Sequence, residues 1–137
     1  MDLHYLREGS KTILASSRSR SPWHLLPPIS LDDTGCAYTL LTNPSGGFVG
    51  GNHLSIRSTL GLETHVLFST PSANRVYRSA GETAVQLVEL TVGKQGVLEW
   101  MPELTITFKG AKLWQQIHVT VHLLSLFIIF KRIFICN

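Results

Sequence analysis

The chain has 137 residues, of which 44% are hydrophobic and 15% are charged, a composition that suits one folded domain and excludes a disordered chain. Its net charge of +3 comes from scattered basic residues, which argues against the basic stripe of a nucleic-acid-binding protein. Cys36 and Cys136 lie far apart and form no Cys-x-x-Cys motif, so neither a disulfide framework nor a zinc knuckle is expected. The charged N-terminal segment lacks a secretory signal, and we expect a cytoplasmic protein.

Most of the chain alternates apolar and polar residues with the two-residue period of β-strands and is rich in Val, Ile, Thr and Leu. Turns marked by glycine divide these stretches at short intervals. The pattern predicts an all-β fold of short strands with little helix, either a β-helix-like or sandwich-like stack or a barrel, and no fixed repeat is evident. The predicted strands are residues 3–7, 12–17, 37–42, 53–59, 65–69, 85–92, 97–101, 104–108 and 115–121.

Three segments between these strands have distinct chemistry. Residues 18–30 contain three prolines and are predicted to connect an N-terminal hairpin to the main sheet. Residues 43–52, NPSGGFVGGN, lack the Gly-Lys-Ser/Thr ending of a phosphate-binding loop, so a β-turn or bulge is expected. Residues 69–79 are predicted to form a loop that offers Arg75 and Arg78 to carboxylates.

The acidic and histidine residues give no strong site motif. Glu99 and Glu103 lie beside apolar residues, where a carboxylate is costly unless it is paired or functional. His118 and His122 would share a face of a helix, but their surroundings predict a strand. Along a strand they would be about 13 Å apart, too far for one metal ion. No hydrolase signature is present, and no catalytic residue is assigned.

The C-terminal segment, residues 123–137, differs from the rest because glycines stop and bulky apolar residues dominate. We expect residues 1–122 to form the β domain and residues 123–137 to be a divergent apolar tail, either packed on the sheet or foreign to the domain. A helix that spans a membrane needs about 20 apolar residues, and the apolar run here is shorter, so no membrane span is expected.

Three segments together carry a family resemblance: LLTNPSGGFVGGNHL at residues 40–54, FSTPSANRVYRS at 68–79 and LEWMPELTITFKGA at 98–111. Their sequences, order and spacing resemble those of the UreD (UreH) family of urease accessory proteins. The resemblance covers residues 3 to about 122, and because family members are longer, it suggests an N-terminal fragment with an incomplete domain.

The resemblance implies an all-β scaffold or metallochaperone component without catalytic activity, which bridges apo-urease, UreF and the GTPase UreG. It also implies that nickel passes through a polar interior, with no cofactor bound tightly; carboxylate, imidazole and water are suitable weak ligands for such a relay. No firm metal site is assigned, and the candidates for a transient nickel path are Glu99, Glu103 and Asn52. The partner or structural residues carried over are Gly46, Gly47, Gly50, Gly51, Thr70, Pro71, Asn74, Arg75, Tyr77, Arg78, Ser79, Trp100 and Pro102.

Three positions depart from the family pattern, since Asn52 stands for Asp, Arg75 for Lys and Leu104 for Glu. Two lost acids weaken a metal relay. We expect the isolated chain to be poorly soluble and inactive in urease maturation, because a truncated β domain leaves open edges. The alternative function is a small β-sandwich module that binds carbohydrate or peptide through the Tyr77 and Trp100 regions.

Overall fold

The computed structural model describes residues 1–136, which form β-strands and connections without an α-helix. The all-β prediction is therefore confirmed, and all nine predicted strands are present with small differences at their ends. The strands are β1 (Asp2–Glu8), β2 (Lys11–Arg18), β3 (His24–Leu25), β4 (Ala37–Thr42), β5 (Gly47–Phe48), β6 (His53–Leu60), β7 (His65–Ser69), β8 (Asn74–Val76), β9 (Ala84–Val92), β10 (Val97–Trp100), β11 (Thr105–Thr107), β12 (Leu113–Val121), β13 (Leu126–Ile129) and β14 (Ile133–Ile135).

The strands form a three-sided β-solenoid. Side 1 has the order β13-β10-β7-β4-β3, side 2 has β14-β11-β8-β5, and side 3 has β12-β9-β6-β1-β2. From β4 onward the chain visits the three sides in turn, and each strand pairs in parallel with its counterpart in the next coil. Of the architectures that the sequence predicts, the β-helix-like stack is the observed one.

The coils are similar in length but not identical, which explains why the sequence shows no fixed period. On side 1, Ala37 pairs with Val66, Val66 with Leu98, and Leu98 with Phe127. These steps of roughly 30 residues lie within the range of known solenoid repeats. The connections at the corners vary by a few residues, so equivalent core positions do not recur at one spacing.

The interior is filled by alternate residues of each strand. In β6, every second side chain from Leu54 to Leu60 is buried and those between are exposed. Phe68 of side 1 lies in the middle of the core, where its ring is 5.9 Å from that of Tyr5 on side 3 and 5.7 Å from that of Trp100 on the next coil of side 1. The Tyr5 hydroxyl shares a 2.8 Å hydrogen bond with Thr39 Oγ1 inside this core.

The two ends of the solenoid differ. At the N-terminal end, β1 and β2 form the predicted hairpin, β3 runs antiparallel to β4, and Trp23 is buried. At the other end, residues 123–136 add β13 and β14 in register with β10 and β11, while Asn137 lies outside the described residues. Many of these side chains are exposed, and Leu123 and Leu124 reach 72% and 73%.

Some connections contain more structure than the sequence predicts. The segments 18–30, 43–52 and 69–79 include β3, β5 and β8, which have only two or three residues each. A strand this short shows no alternation of its own and is recognised only through pairing with its neighbours. Within residues 1–136, no helix has the length and hydropathy required to cross a membrane.

Candidate functional site

The three sequence motifs lie on consecutive coils and stack along side 2 and its corners. The glycine loop contributes β5, the second motif contributes β8, and the third contributes β11. Gly47 pairs with Arg75, and Arg75 pairs with Ile106. Motifs that are about 30 residues apart in sequence are therefore neighbours in space, as expected for a solenoid.

The glycine loop approaches the second motif too closely for larger residues. Gly47 is buried with φ at +158°, and a Cβ atom there would lie 3.0 Å from the carbonyl carbon of Arg75 and from the Tyr77 ring. A Cβ atom on Gly46 would lie 3.8 Å from the Tyr77 hydroxyl, whereas Gly50 packs against Ser79 and Glu82 and Gly51 packs against Glu82. The glycines thus allow two coils to stack closely, as predicted for a structural turn.

Hydrogen bonds and an aromatic pair join the second motif to the third. Thr70 Oγ1 accepts a 3.0 Å hydrogen bond from the Glu103 amide, and the Asn74 amide donates one of 2.8 Å to the Leu104 carbonyl. The Tyr77 and Phe108 rings stack with their centroids 5.8 Å apart. These contacts fix the two loops relative to each other.

Burial divides the motif residues into an interior and an outer group. Trp100 is only 2% exposed and Thr70 is 9% exposed, so both support the fold from inside. Pro71, Arg75 and Arg78 are exposed. Asn74, Tyr77, Ser79 and Pro102 are half-buried. The buried indole leaves the alternative carbohydrate or peptide module without one of the two aromatic side chains of its predicted contact surface.

The three residues predicted for a transient nickel path have different surroundings. Asn52 accepts a hydrogen bond from the Val49 amide through its side-chain oxygen and stabilises the turn before β6. Glu103 is exposed at the corner after β10, where its carboxylate lies 3.1 Å from Arg132 Nη2. Glu99 lies in β10 on the outer face of side 1. The predicted path through these residues stays a prediction.

Glu99 belongs to a cluster that sequence reasoning missed. Its Oε1 lies 2.6 Å from Nε2 of His65, and the thiol of Cys36 is close to both groups. One ligand atom from each of the three residues lies within 4.8 Å of the others. Among residues 1–136, this is the only group of three or more His, Cys, Asp or Glu residues with such proximity.

Strand register produces the cluster. Cys36 precedes β4, His65 begins β7 and Glu99 lies in β10, which are adjacent strands of side 1. Each residue is next to a buried one, so its side chain points away from the core. The signal in the sequence is therefore one outward-facing residue in or directly before each of three strands, but only the pairing of the strands reveals that these residues meet.

The surroundings of the cluster favour an uncharged thiol when no cation is bound. Burial raises the pKa of Cys36 to about 11, and the nearby Glu99 carboxylate contributes in the same direction. His65 and Glu99 are partly shielded, with side-chain exposures of 26% and 20%. The arrangement concentrates sulfur, nitrogen and oxygen ligands in a half-buried place.

The other histidine pair gives no metal site. His118 lies in β12 and His122 follows the strand, as the sequence predicts. Both side chains are exposed. The extended backbone keeps the two imidazoles apart.

Comparison with known proteins shows one consistent family. Residues 1–130 match the sequence model of the family described as UreD urease accessory protein. Urease accessory protein UreD of Dechloromonas aromatica is 36% identical over 112 residues, which cover 82% of this chain and 39% of the relative. Urease accessory protein UreD of Klebsiella aerogenes is 37% identical over 123 residues, which cover 90% and 44%. The chain thus spans about two fifths of the length of these curated relatives.

Proposed function

Because this chain belongs to the UreD family of urease accessory proteins, we propose that it serves urease maturation as a binding scaffold and catalyses no reaction itself. The observation that carries the proposal is the stacking of the three family motifs into one continuous surface on side 2. A rigid surface built from several coils suits protein binding, which is the usual role of solenoids.

The exposed part of this surface is basic at its centre. Arg75 and Arg78 project from the second motif, and the stacked rings of Tyr77 and Phe108 lie beside them. Arginine and tyrosine are enriched in protein interfaces because they combine large contact areas with directional hydrogen bonds. We propose that this surface contacts an acidic patch on a partner of the cytoplasmic maturation complex, where apo-urease, UreF and UreG are the partners implied by the resemblance.

Transient handling of nickel is the finer part of the proposal. Polar groups lie within the otherwise apolar interior, among them Gln86, whose side-chain oxygen accepts a hydrogen bond from the Gln115 side-chain amide on the adjacent coil. Such oxygens bind a cation weakly, which permits transfer rather than storage. Glu99 and Glu103 supply carboxylates on the outside.

The proposal is tested by co-purification. The tagged chain is co-expressed with UreF, with UreG and with apo-urease in separate cultures, and captured proteins are measured against a tag-only control. We expect at least one partner to be retained. Retention of none of them would contradict the proposed scaffold role.

A matched pair of charge reversals identifies the surface. Arg75→Glu with Arg78→Glu is expected to reduce capture at least about tenfold, because like charges in an interface are strongly unfavourable. Lys94→Glu, at an exposed corner after β9, is the control and is expected to leave capture unchanged. Equal losses in both variants would place the contact elsewhere.

The urease role itself is tested in cells that lack their own UreD. We expect the chain alone not to restore urease activity, and we expect activity from a chimaera in which residues 1–121 replace the matching segment of a full-length relative. Restoration by the chain alone would contradict the predicted inactivity. An inactive but folded chimaera would contradict the proposal that this segment serves urease maturation.

A further inference from the structure

The geometry points to a metal site at Cys36, His65 and Glu99: we propose that their side chains bind one divalent transition-metal ion such as Zn²⁺ or Ni²⁺. The inference deepens the proposed function, and rests on it only for the choice of nickel as the ion met in the cell.

The distances allow coordination after small side-chain rotations. The ligand atoms lie within 4.8 Å of one another. In a tetrahedral site with bonds of about 2.0–2.3 Å, ligand atoms are roughly 3.3–3.8 Å apart, so the thiol and the imidazole need to move by only about 1 Å. His65 Nε2 and Glu99 Oε1, now 2.6 Å apart, separate slightly to reach these distances.

The backbone around the cluster is held in place before any ion arrives. The His65 amide donates a 2.8 Å hydrogen bond to Thr12 Oγ1, and the Thr12 amide donates one of 2.9 Å to the Gly35 carbonyl. Gly35 has φ at +77° and packs against the Ser10 carbonyl, where no side chain fits. Because the strands and this turn fix the three Cα positions, ordering the site costs little conformational entropy.

The ligand set selects a class of metal. A thiolate, an imidazole and a carboxylate together suit borderline ions such as Zn²⁺, Ni²⁺ and Co²⁺. Ca²⁺ and Mg²⁺ prefer six or more oxygen ligands and are expected to bind poorly. Three protein ligands leave an open coordination position, and the partial exposure of His65 and Glu99 lets water or a receiving ligand reach it.

The surrounding charge also favours a cation. Glu99 brings a carboxylate to the cluster, and its Oε1 lies 2.6 Å from His65 Nε2. When M²⁺ binds, Cys36 coordinates as the thiolate and releases its proton to solvent, and His65 coordinates through a ring nitrogen that carries no proton. The two negative ligands then balance the charge of the dication.

Cobalt is the spectroscopic probe for the site. Co²⁺ is titrated into the purified chain, and the charge-transfer absorption between thiolate and cobalt is recorded. We expect saturation at one ion per chain, reversal by Zn²⁺ or Ni²⁺, and no reversal by Mg²⁺. The absence of a charge-transfer band in folded protein would overturn the proposal.

Single substitutions assign the ligands. Cys36→Ser is expected to abolish the band, and His65→Gln or Glu99→Gln to weaken binding at least about tenfold. Cys136→Ser and His118→Gln are matched controls of the same residue types elsewhere and are expected to bind as the unmodified chain does. A band that persists in Cys36→Ser, or is lost in Cys136→Ser, would overturn the assignment.

A second measurement needs no substitution. Both cysteines are free and half-buried, so the alkylation rates of their thiols can be compared in one sample by peptide mass spectrometry. Ni²⁺ is expected to slow alkylation of Cys36 at least about tenfold, since coordination blocks the sulfur, and to leave Cys136 unchanged. Equal effects at the two cysteines would contradict the site. Metal binding without capture of urease partners would uphold this inference and refute the proposed function, whereas the reverse result would refute the metal site alone.

Discussion

Replacement of Gly47 by alanine is expected to destabilise the solenoid for two reasons, an unfavourable backbone conformation and a steric clash with the next coil. Gly47 has φ at +158°, a region that residues with a Cβ rarely adopt. The new methyl group would lie 3.0 Å from the Arg75 carbonyl carbon and still closer to the Arg75 oxygen. Ordinary contact requires about 3.4–4 Å, so β5 and β8 would have to separate.

The expected cost has a conformational part and a packing part. Overpacking against a backbone that cannot move away costs about 1–3 kcal/mol. Separation of the strands also weakens the hydrogen bond from the Tyr77 amide to the Phe48 carbonyl, now 2.9 Å, for about 1 kcal/mol. The packing part is therefore about 2–4 kcal/mol.

Gly81 provides the matched control. Its φ of +154° is almost the same, but no atom lies within 4 Å of the position of its added Cβ. Gly81→Ala therefore measures the conformational part alone. The difference between the two variants isolates the close contact between the coils.

Urea unfolding of the two purified variants measures this difference. With an m-value of about 2 kcal/mol/M, the midpoint of Gly47→Ala should lie about 1–2 M urea below that of Gly81→Ala. Equal midpoints would refute the claim that the glycine loop and the second motif pack without space for a side chain.

Three further predictions concern the core, its pH dependence and the open end. Phe68→Ala should lower the free energy of unfolding by about 3–5 kcal/mol in urea titrations, because it removes a fully buried ring between two aromatic neighbours. A decrease below about 1 kcal/mol would contradict this packing of the Phe68 ring. Burial raises the pKa of Tyr5, so the contribution of this residue to stability is complete below the unfolded-state pKa of about 10. Above that pH the free energy of unfolding should fall by about 1.4 kcal/mol per pH unit, and Tyr5→Phe should remove this dependence. The same dependence of the unfolding free energy on pH in both proteins would contradict the burial of the Tyr5 hydroxyl. Leu123→Lys with Leu124→Lys should reduce light scattering by aggregates. Because both side chains are exposed, the free energy of unfolding should change by under about 0.5 kcal/mol. Unchanged scattering would show that another surface drives association.

Alternation along the strands made much of the fold predictable. In β6 and β9, buried and exposed residues alternate regularly, so strand positions and their inward faces follow from the sequence. The hairpin of β1 and β2 was equally clear from its Gly9 turn. The strand pattern leaves several all-β architectures open. The resemblance to the family favours the β-helix-like stack among them.

Pairing between coils was not predictable, because it depends on corners whose lengths differ. The positions of β5 and β8 are defined by the bonds between them rather than by their two or three residues. The Cys36–His65–Glu99 cluster could not be predicted for the same reason, since it depends on the pairing of strands from different coils. Glu99 was recognised from its motif, but its neighbours His65 and Cys36 are brought to it only by the register of three strands.

The pairing of the second and third motifs is the claim on which the binding surface depends, and disulfide formation tests it directly. Arg75 and Ile106 are partners on neighbouring strands, so Arg75→Cys with Ile106→Cys, in a chain carrying Cys36→Ser and Cys136→Ser, should oxidise to an intramolecular disulfide. Arg75→Cys with Phe108→Cys shifts one partner by two residues, about 7 Å along the strand, and should remain reduced. Efficient bridging of 75 to 106 alone is the predicted result; a bridge from 75 to 108, or none in either folded protein, would contradict the stacked motifs.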